Sequence, residues 1–276
     1  MNETQWQYFC SFKTEFKKQI EIWQNFINSS PKKEFLQNLI IEAAQKDKVP
    51  AYNLENLLLY NTALDDVQKN DRIAAIAVGD NPGKDEQLNR NCKYLVGQAG
   101  KVAASFFAKN PQLQIDFRKN VIILNKTPFH SAKTKELAAI IKALVTDNCE
   151  ESARIARLIA ESQVFMAQIT AKLHQNLCSA ATAEEENCDL WLVGYGELKK
   201  GIFDNYKTAL QNCYRTGYEK ECAAFNRIWQ KVYVFQHFSM NCFASDLKKY
   251  NTLHPENDLK TNLYRLGTLH KAEIFE

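Results

Sequence analysis

Several polar residues stand just after short apolar runs in this chain, and their types suit one piece of chemistry. Asp80 and Asn81 follow the run 73–78 through Gly79, Asn125 follows 121–124, and His237 and Ser239 closely follow 232–235. A carboxylate, two carboxamides, an imidazole and a hydroxyl could recognise a polar planar ligand and activate water. Taken singly, each has a plainer use: Asp80 and Asn125 as helix caps, His237 as a hydrogen-bonded core histidine. Their recurrence at the ends of successive runs is what points to a site. Six of the nine glycines mark the same places, as Gly79 and Gly83 in GDNPG, Gly97 and Gly100 in YLVGQAGK, and Gly194 and Gly196 in LVGYGE. A chain this poor in glycine spends it on turns or on close backbone approach.

For these residues to meet, the runs must be neighbouring strands that point the same way. The runs 73–78, 121–124, 190–193 and 232–235 are short and rich in β-branched or aromatic residues, as buried parallel strands are. Helical periodicity separates them, most clearly over 131–145 and 152–177. The alternation predicts an α/β fold of three layers, with helices on both faces of a mostly parallel four-stranded sheet. The C-terminal strand ends then share one rim, where open sheets of this kind bind ligands. Residues 1–65 read as a helical extension packed on a main domain of residues 66–276. Within it Ser30-Pro31 reads as a helix start, Pro50 as a stop, and residues 54–60 as a short leucine-rich helix. The acidic stretch 178–188 reads as an exposed loop.

Composition bounds the function only loosely. Lysine and arginine number 35 against 32 acidic residues, a net charge of +3 that neither requires nor excludes nucleic acid. The eight cysteines include no CxxC pair and no paired ligand spacing, so neither zinc nor an iron–sulfur cluster is expected, and no other cofactor is. With no secretory leader and no run of spanning length, the expectation is a soluble, cytoplasmic protein with reduced thiols and no membrane partner. GDNPGK is one residue short of a phosphate-binding G-x-x-x-x-G-K loop, and Gly194-Tyr195-Gly196 lacks the third glycine of a dinucleotide fingerprint. No G-x-S-x-G elbow is present, which removes acyl transfer of that type.

The order of the blocks resembles a known family. GDNPGKDEQ, YLVGQAGK, ILNKTPF, the helix containing FMAQI, LWLVGYG and VFQHFS resemble, in that order, the blocks of the uracil-DNA glycosylase superfamily. The layout is most similar to the bacterial and archaeal branch with G-E-x-P-G-x-x-E followed by P-F-V-G-x-A-G, and it covers roughly residues 73–245. The resemblance implies a monofunctional DNA glycosylase that acts in base-excision repair, on DNA containing uracil or a damaged base, probing the base by flipping it out. It implies Asp80 at the branch's glutamate position in a water-activating loop, and Asn81 where other branches carry a water-binding residue. Asn125 would read the base edge, and His237 would stabilise charge on the departing base. Ser239, Met240 and Asn241 would lie against DNA.

The departures are equally specific. Phe129 stands where a cluster cysteine would follow the Asn125 strand. Leu95 takes the place of the phenylalanine that stacks on uracil, with Tyr94 beside it as a substitute. Phe238 replaces a proline after the histidine, and Asn241 sits where a leucine wedge is common. Gly83, where a uracil-specific branch has tyrosine, leaves room beside C5 of the base. The alternative from another class is a catalytically inactive member of the fold that binds nucleic acid or protein. A monomer is expected in either case.

Overall fold

The computed structural model describes residues 1–86, 91–179, 188–215 and 227–276. Four strands, β1 (Ala75–Gly79), β2 (Val121–Asn125), β3 (Asp189–Val193) and β4 (Val232–Phe235), form one sheet in the order β2-β1-β3-β4. Every pairing is parallel, with Gly79 in register with Asn125 and Val193 with Phe235. β1 therefore lies inside the sheet. The chain runs outward from it to β2 and then returns to β3 on its other side. That reversal opens a crevice between the C-terminal ends of β1 and β3, the natural ligand position in an open sheet.

Helices cover both faces, giving three layers. Side chains alternate along each strand, so Ile76, Val78, Ile122, Leu124, Leu190, Leu192, Val232 and Val234 enter one core. Against them pack α1 (Glu3–Ser29), α6 (Glu150–Ser179) and α8 (Asp204–Arg215). Ala77, Ile123, Trp191, Tyr233 and Phe235 enter the other core, under α4 (Gln98–Lys109), α9 (Cys242–Leu253) and α10 (Leu259–Phe275). A side chain at Gly267 would come within 2.7 Å of the Phe235 ring, so this glycine sets how closely α10 approaches β4. A third cluster joins α1 and α6 to α2 (Lys33–Asp47) and α5 (Thr134–Thr146) through Trp23, Ile27, Leu36, Ile40, Leu137, Ile140 and Ile155. Two further short helices are α3 (Ala63–Asp66) and α7 (Tyr195–Lys200).

The helical extension is part of this packing. α1 starts at a capping box in which Asn2 Oδ1 accepts from the Gln5 N–H at 3.0 Å and Gln5 Oε1 accepts from the Asn2 N–H at 2.8 Å. From there Phe9, Phe12 and Phe16 form a helical stripe that lies in the same core as β1 and β2.

Three local expectations need correction. Ser30-Pro31 does not open α2, which begins at Lys33. Ser30 instead closes α1, its N–H donating to Ile27 O at 3.2 Å and its Oγ accepting from the Lys32 N–H at 3.2 Å. Residues 54–60 are helical only over Leu54–Asn56. The chain must then extend so that Leu58 bridges Phe129 and the Leu59 N–H reaches Pro128 O. The stretch 178–188 is not exposed at its ends, since Cys178 and Cys188 are both buried; residues 180–187 lie outside the described residues.

Candidate active site

A cleft of about 520 Å³ opens at the crevice between β1 and β3. Its wall carries Asp80, Asn125, His237 and Ser239, so the residues that follow β1, β2 and β4 do meet there. Gly194, just after β3, has φ 108°, and a side chain on it would lie 2.3 Å from Asp80 Oδ1. Glycine is required on both counts.

Beneath Asp80 is a lysine from the ILNKTPF block that was given no role there. Lys126 is fully buried, and its ammonium donates to Asp80 Oδ1 at 2.6 Å, Val193 O at 2.6 Å and Gly79 O at 3.3 Å. Burial pushes the Lys126 ammonium below its ordinary range while Asp80 pulls it back up. Asp80 Oδ1 is thereby occupied, whereas Oδ2 has no hydrogen bond to a described residue. Glu197 of α7 lies in the same wall, its carboxyl raised by burial and then by the Asp80 charge.

Asn125 ends β2 almost fully buried. Its Oδ1 faces Gly79, where a side chain would come within 2.6 Å, and its Nδ2 is buried without a hydrogen-bond partner. A donor left unpaired in this way costs about 1–3 kcal/mol unless something enters the cleft to accept from it.

His237 sits opposite. The backbone N–H of Ser239 donates to its Nδ1 at 3.0 Å, and Ser239 Oγ lies 2.6 Å from the same atom. Nδ1 is thus the acceptor and the ring proton resides on Nε2. Burial presses the imidazole toward this neutral form, with Asp80 opposing. Ser239 begins a short turn whose next two residues both have left-handed backbones, Met240 at φ 51° and Asn241 at φ 58°. Met240 lies at the cleft's edge and is 86% exposed, the most exposed large apolar side chain among the described residues. Asn241 is exposed outside the cleft wall.

The GDNPG loop is knitted to the loop before α5. Asn81 Nδ2 donates to Ser131 Oγ at 2.9 Å, and Asn81 Oδ1 accepts from Thr134 Oγ1 at 2.9 Å. Both polar atoms of its carboxamide are therefore engaged by the protein. Gly83 borders the cleft with open space where a side chain would be, its nearest neighbour being Glu86 Oε1 at 3.9 Å. Glu86 accepts from the N–H groups of Gly83 at 3.1 Å and Leu95 at 2.9 Å, and burial pushes its carboxyl up to about 7.

Leu95 lines the cleft at φ 52°, its carbonyl held by Arg118 Nη2 at 2.6 Å. A side chain at Gly100 would overlap that carbonyl at 1.4 Å, which accounts for the glycine. Tyr94 does not reach the cleft. It points the opposite way into the core, its hydroxyl donating to Leu59 O at 2.5 Å. Phe238 is likewise buried, against Phe117 and Phe243. His237 is consequently the only ring among the described residues of the wall. Phe129 is buried in the third cluster. Among the described residues there is no group of three or more histidine, cysteine or acidic side chains placed to hold a metal ion, and no helix long and apolar enough to cross a membrane.

Lys126, Glu86 and Glu197 were not singled out from sequence. Glu86 lies within the GDNPGKDEQ block and Lys126 within ILNKTPF, two residues before a proline. No family model, no curated protein and no solved structure matches the chain.

Proposed function

We propose that this protein is a DNA base glycosylase that hydrolyses the N-glycosidic bond of uracil or a related damaged base. The observation that carries the reading is the buried, unpartnered Asn125 Nδ2 in a cleft that also holds a carboxylate and a neutral histidine. The ordered resemblance of the sequence blocks to the uracil-DNA glycosylase superfamily supports it.

In this reading the base leaves the stack and enters the cleft, where Asn125 Nδ2 donates to a carbonyl on its edge. The bond between the base nitrogen and C1′ breaks, with its electron pair going to the base. His237 donates through Nε2–H to the base oxygen that gathers the charge, an interaction that strengthens as the bond breaks. Water held at Asp80 Oδ2 adds to C1′ and passes its proton to the carboxylate and on to solvent. Ser239 and Asn241 meet the backbone, and Met240 supplies an apolar wedge for the gap in the stack.

Incubation with single- and double-stranded oligonucleotides containing one uracil should release free base and leave an abasic site. Tight binding without release would favour the alternative, a non-catalytic nucleic-acid-binding protein. That alternative draws support from the Asn81 carboxamide engaged by the protein and from a cleft whose wall, among the described residues, has no ring beyond His237.

A further inference from the structure

Lys126 poses a physical question that the fold does not answer. Its side chain starts just past β2, passes β1 and ends on β3, and all three ammonium hydrogens are spent on Asp80 Oδ1, Gly79 O and Val193 O. Removing an ammonium from water costs several kcal/mol, and replacing a buried ion pair by an apolar residue of similar volume is often neutral or stabilising. Cohesion of the strand ends is therefore a poor reason for a charge here. Nor does the amine have a free position from which to attack a ligand. What the ammonium does have is one oxygen of the carboxylate in the cleft wall, with the Phe203 ring 5.2 Å from Nζ closing the far side.

We propose that Lys126 is a positioning residue: it holds the Asp80 carboxylate with Oδ1 turned into the protein and Oδ2 presented to the cleft. The role rests on the glycosylase reading for its consequence, because a carboxylate oxygen held in place is what water, or positive charge growing at C1′, would need. The charged and titratable groups facing Asp80 are Lys126, Glu197 and His237. Without Lys126 the carboxylate faces Glu197 with no fixed cation and is free to turn. Asn125 and His237 keep their places, so base and DNA binding should survive.

The test is Lys126→Met, similar in length and uncharged, with Lys126→Gln as the second variant should the first not fold. Single-turnover release of uracil should slow about a hundredfold, the size typical of losing one preorganised electrostatic group, with KM changed by less than about threefold. Combining Lys126→Met with Asp80→Asn should be no slower than Asp80→Asn alone, since residues that act as a unit are non-additive. A further loss in the double variant, or a raised KM with unchanged kcat, would overturn the proposal. A readout independent of activity is the 13C resonance of the Asp80 carboxyl in the ligand-free protein. It should shift and broaden in the Met variant and stay put when an exposed lysine of α1 is changed, as in Lys18→Met; an unmoved resonance in the Lys126→Met variant sinks the proposal. A wild-type protein that releases no base while this resonance still moves defeats the glycosylase reading and leaves the positioning role standing.

Discussion

Asn125 lines the cleft with a carboxamide whose buried Nδ2 has no hydrogen-bond partner. Asn125→Ala should lower kcat/KM for uracil at least a hundredfold and weaken discrimination among bases, because a site built to hydrogen-bond loses most when a partner is deleted. Base release by a folded variant, measured beside wild type, checks this, and unchanged release would remove Asn125 from the site. Gly83 sets a second expectation. The space beside it is bounded by Glu86 rather than by a ring, and an added methyl in an open pocket changes binding by only about 1–3 kcal/mol. Slow release of 5-hydroxymethyluracil from mismatched duplexes should therefore be measurable. Gly83→Tyr should abolish it while sparing uracil; no release from wild type would mean that another group closes that side. Asp80, Asn125 and His237 were legible in the sequence because a strand's end shows as the end of an apolar run. Tyr94 was not, because adjacent side chains diverge and the left-handed backbone at Leu95 decides which of the two faces the cleft. Lys126 was passed over, although it lies in a quoted block, because lysine reads as surface until its three acceptors from distant segments are in place.

Among the elements, α2 and α5 meet through a pair of acids. Asp47, at the end of α2, lies against Glu136 in the first turn of α5, and each has a buried oxygen without a hydrogen-bond partner. Lys133 and Lys135 reach Asp47 at 3.4 and 2.5 Å. Burial, and then Asp47, push the Glu136 carboxyl up to about 7, whereas Lys135 first and the other neighbours after it hold Asp47 low. A raised carboxyl contributes stability in full below its unfolded value, and that contribution is lost as pH rises through about 7. Asp47 has the opposite sign and matters only at acid pH. Glu136→Gln should therefore raise the urea midpoint relative to wild type more at pH 8 than at pH 5. A difference that does not vary with pH would show that the Glu136 carboxyl is not raised in the folded protein. The four strands and the two long helices were legible because their periodicities are strong. The connection at 57–59 was not, since its leucines are buried by pairing with residues 128 and 129, and a helical run of leucines looks the same in sequence.

At the scale of the whole molecule, the helical extension and the sheet share one core, with Phe9, Phe12 and Phe16 packed among Ile76, Val78 and Leu124. Phe12→Ala should cost about 3–5 kcal/mol, as truncation of a buried phenylalanine generally does, read from the urea midpoint at constant slope. A loss below about 1 kcal/mol would mean that α1 is an appendage. The three-layer architecture was legible as an alternation of strands and helices. The packing of residues 1–65 on the main domain was read too, but not the side chains that meet in it, because an amphipathic stripe says that a face is buried and not which strand residues bury it. The strand order also has a consequence during synthesis. Ala75 pairs with Val121 on one side and with Asp189 on the other, so β1 waits a further 68 residues for its second neighbour after meeting its first. At roughly 5–20 residues per second on the ribosome, that is a delay of several seconds. In that interval the β1 edge is bare, small and apolar, and open to pairing with another nascent chain. Products that terminate before Asp189 should therefore aggregate, and full-length yield should improve when chaperone supply is raised and fall when translation is slowed.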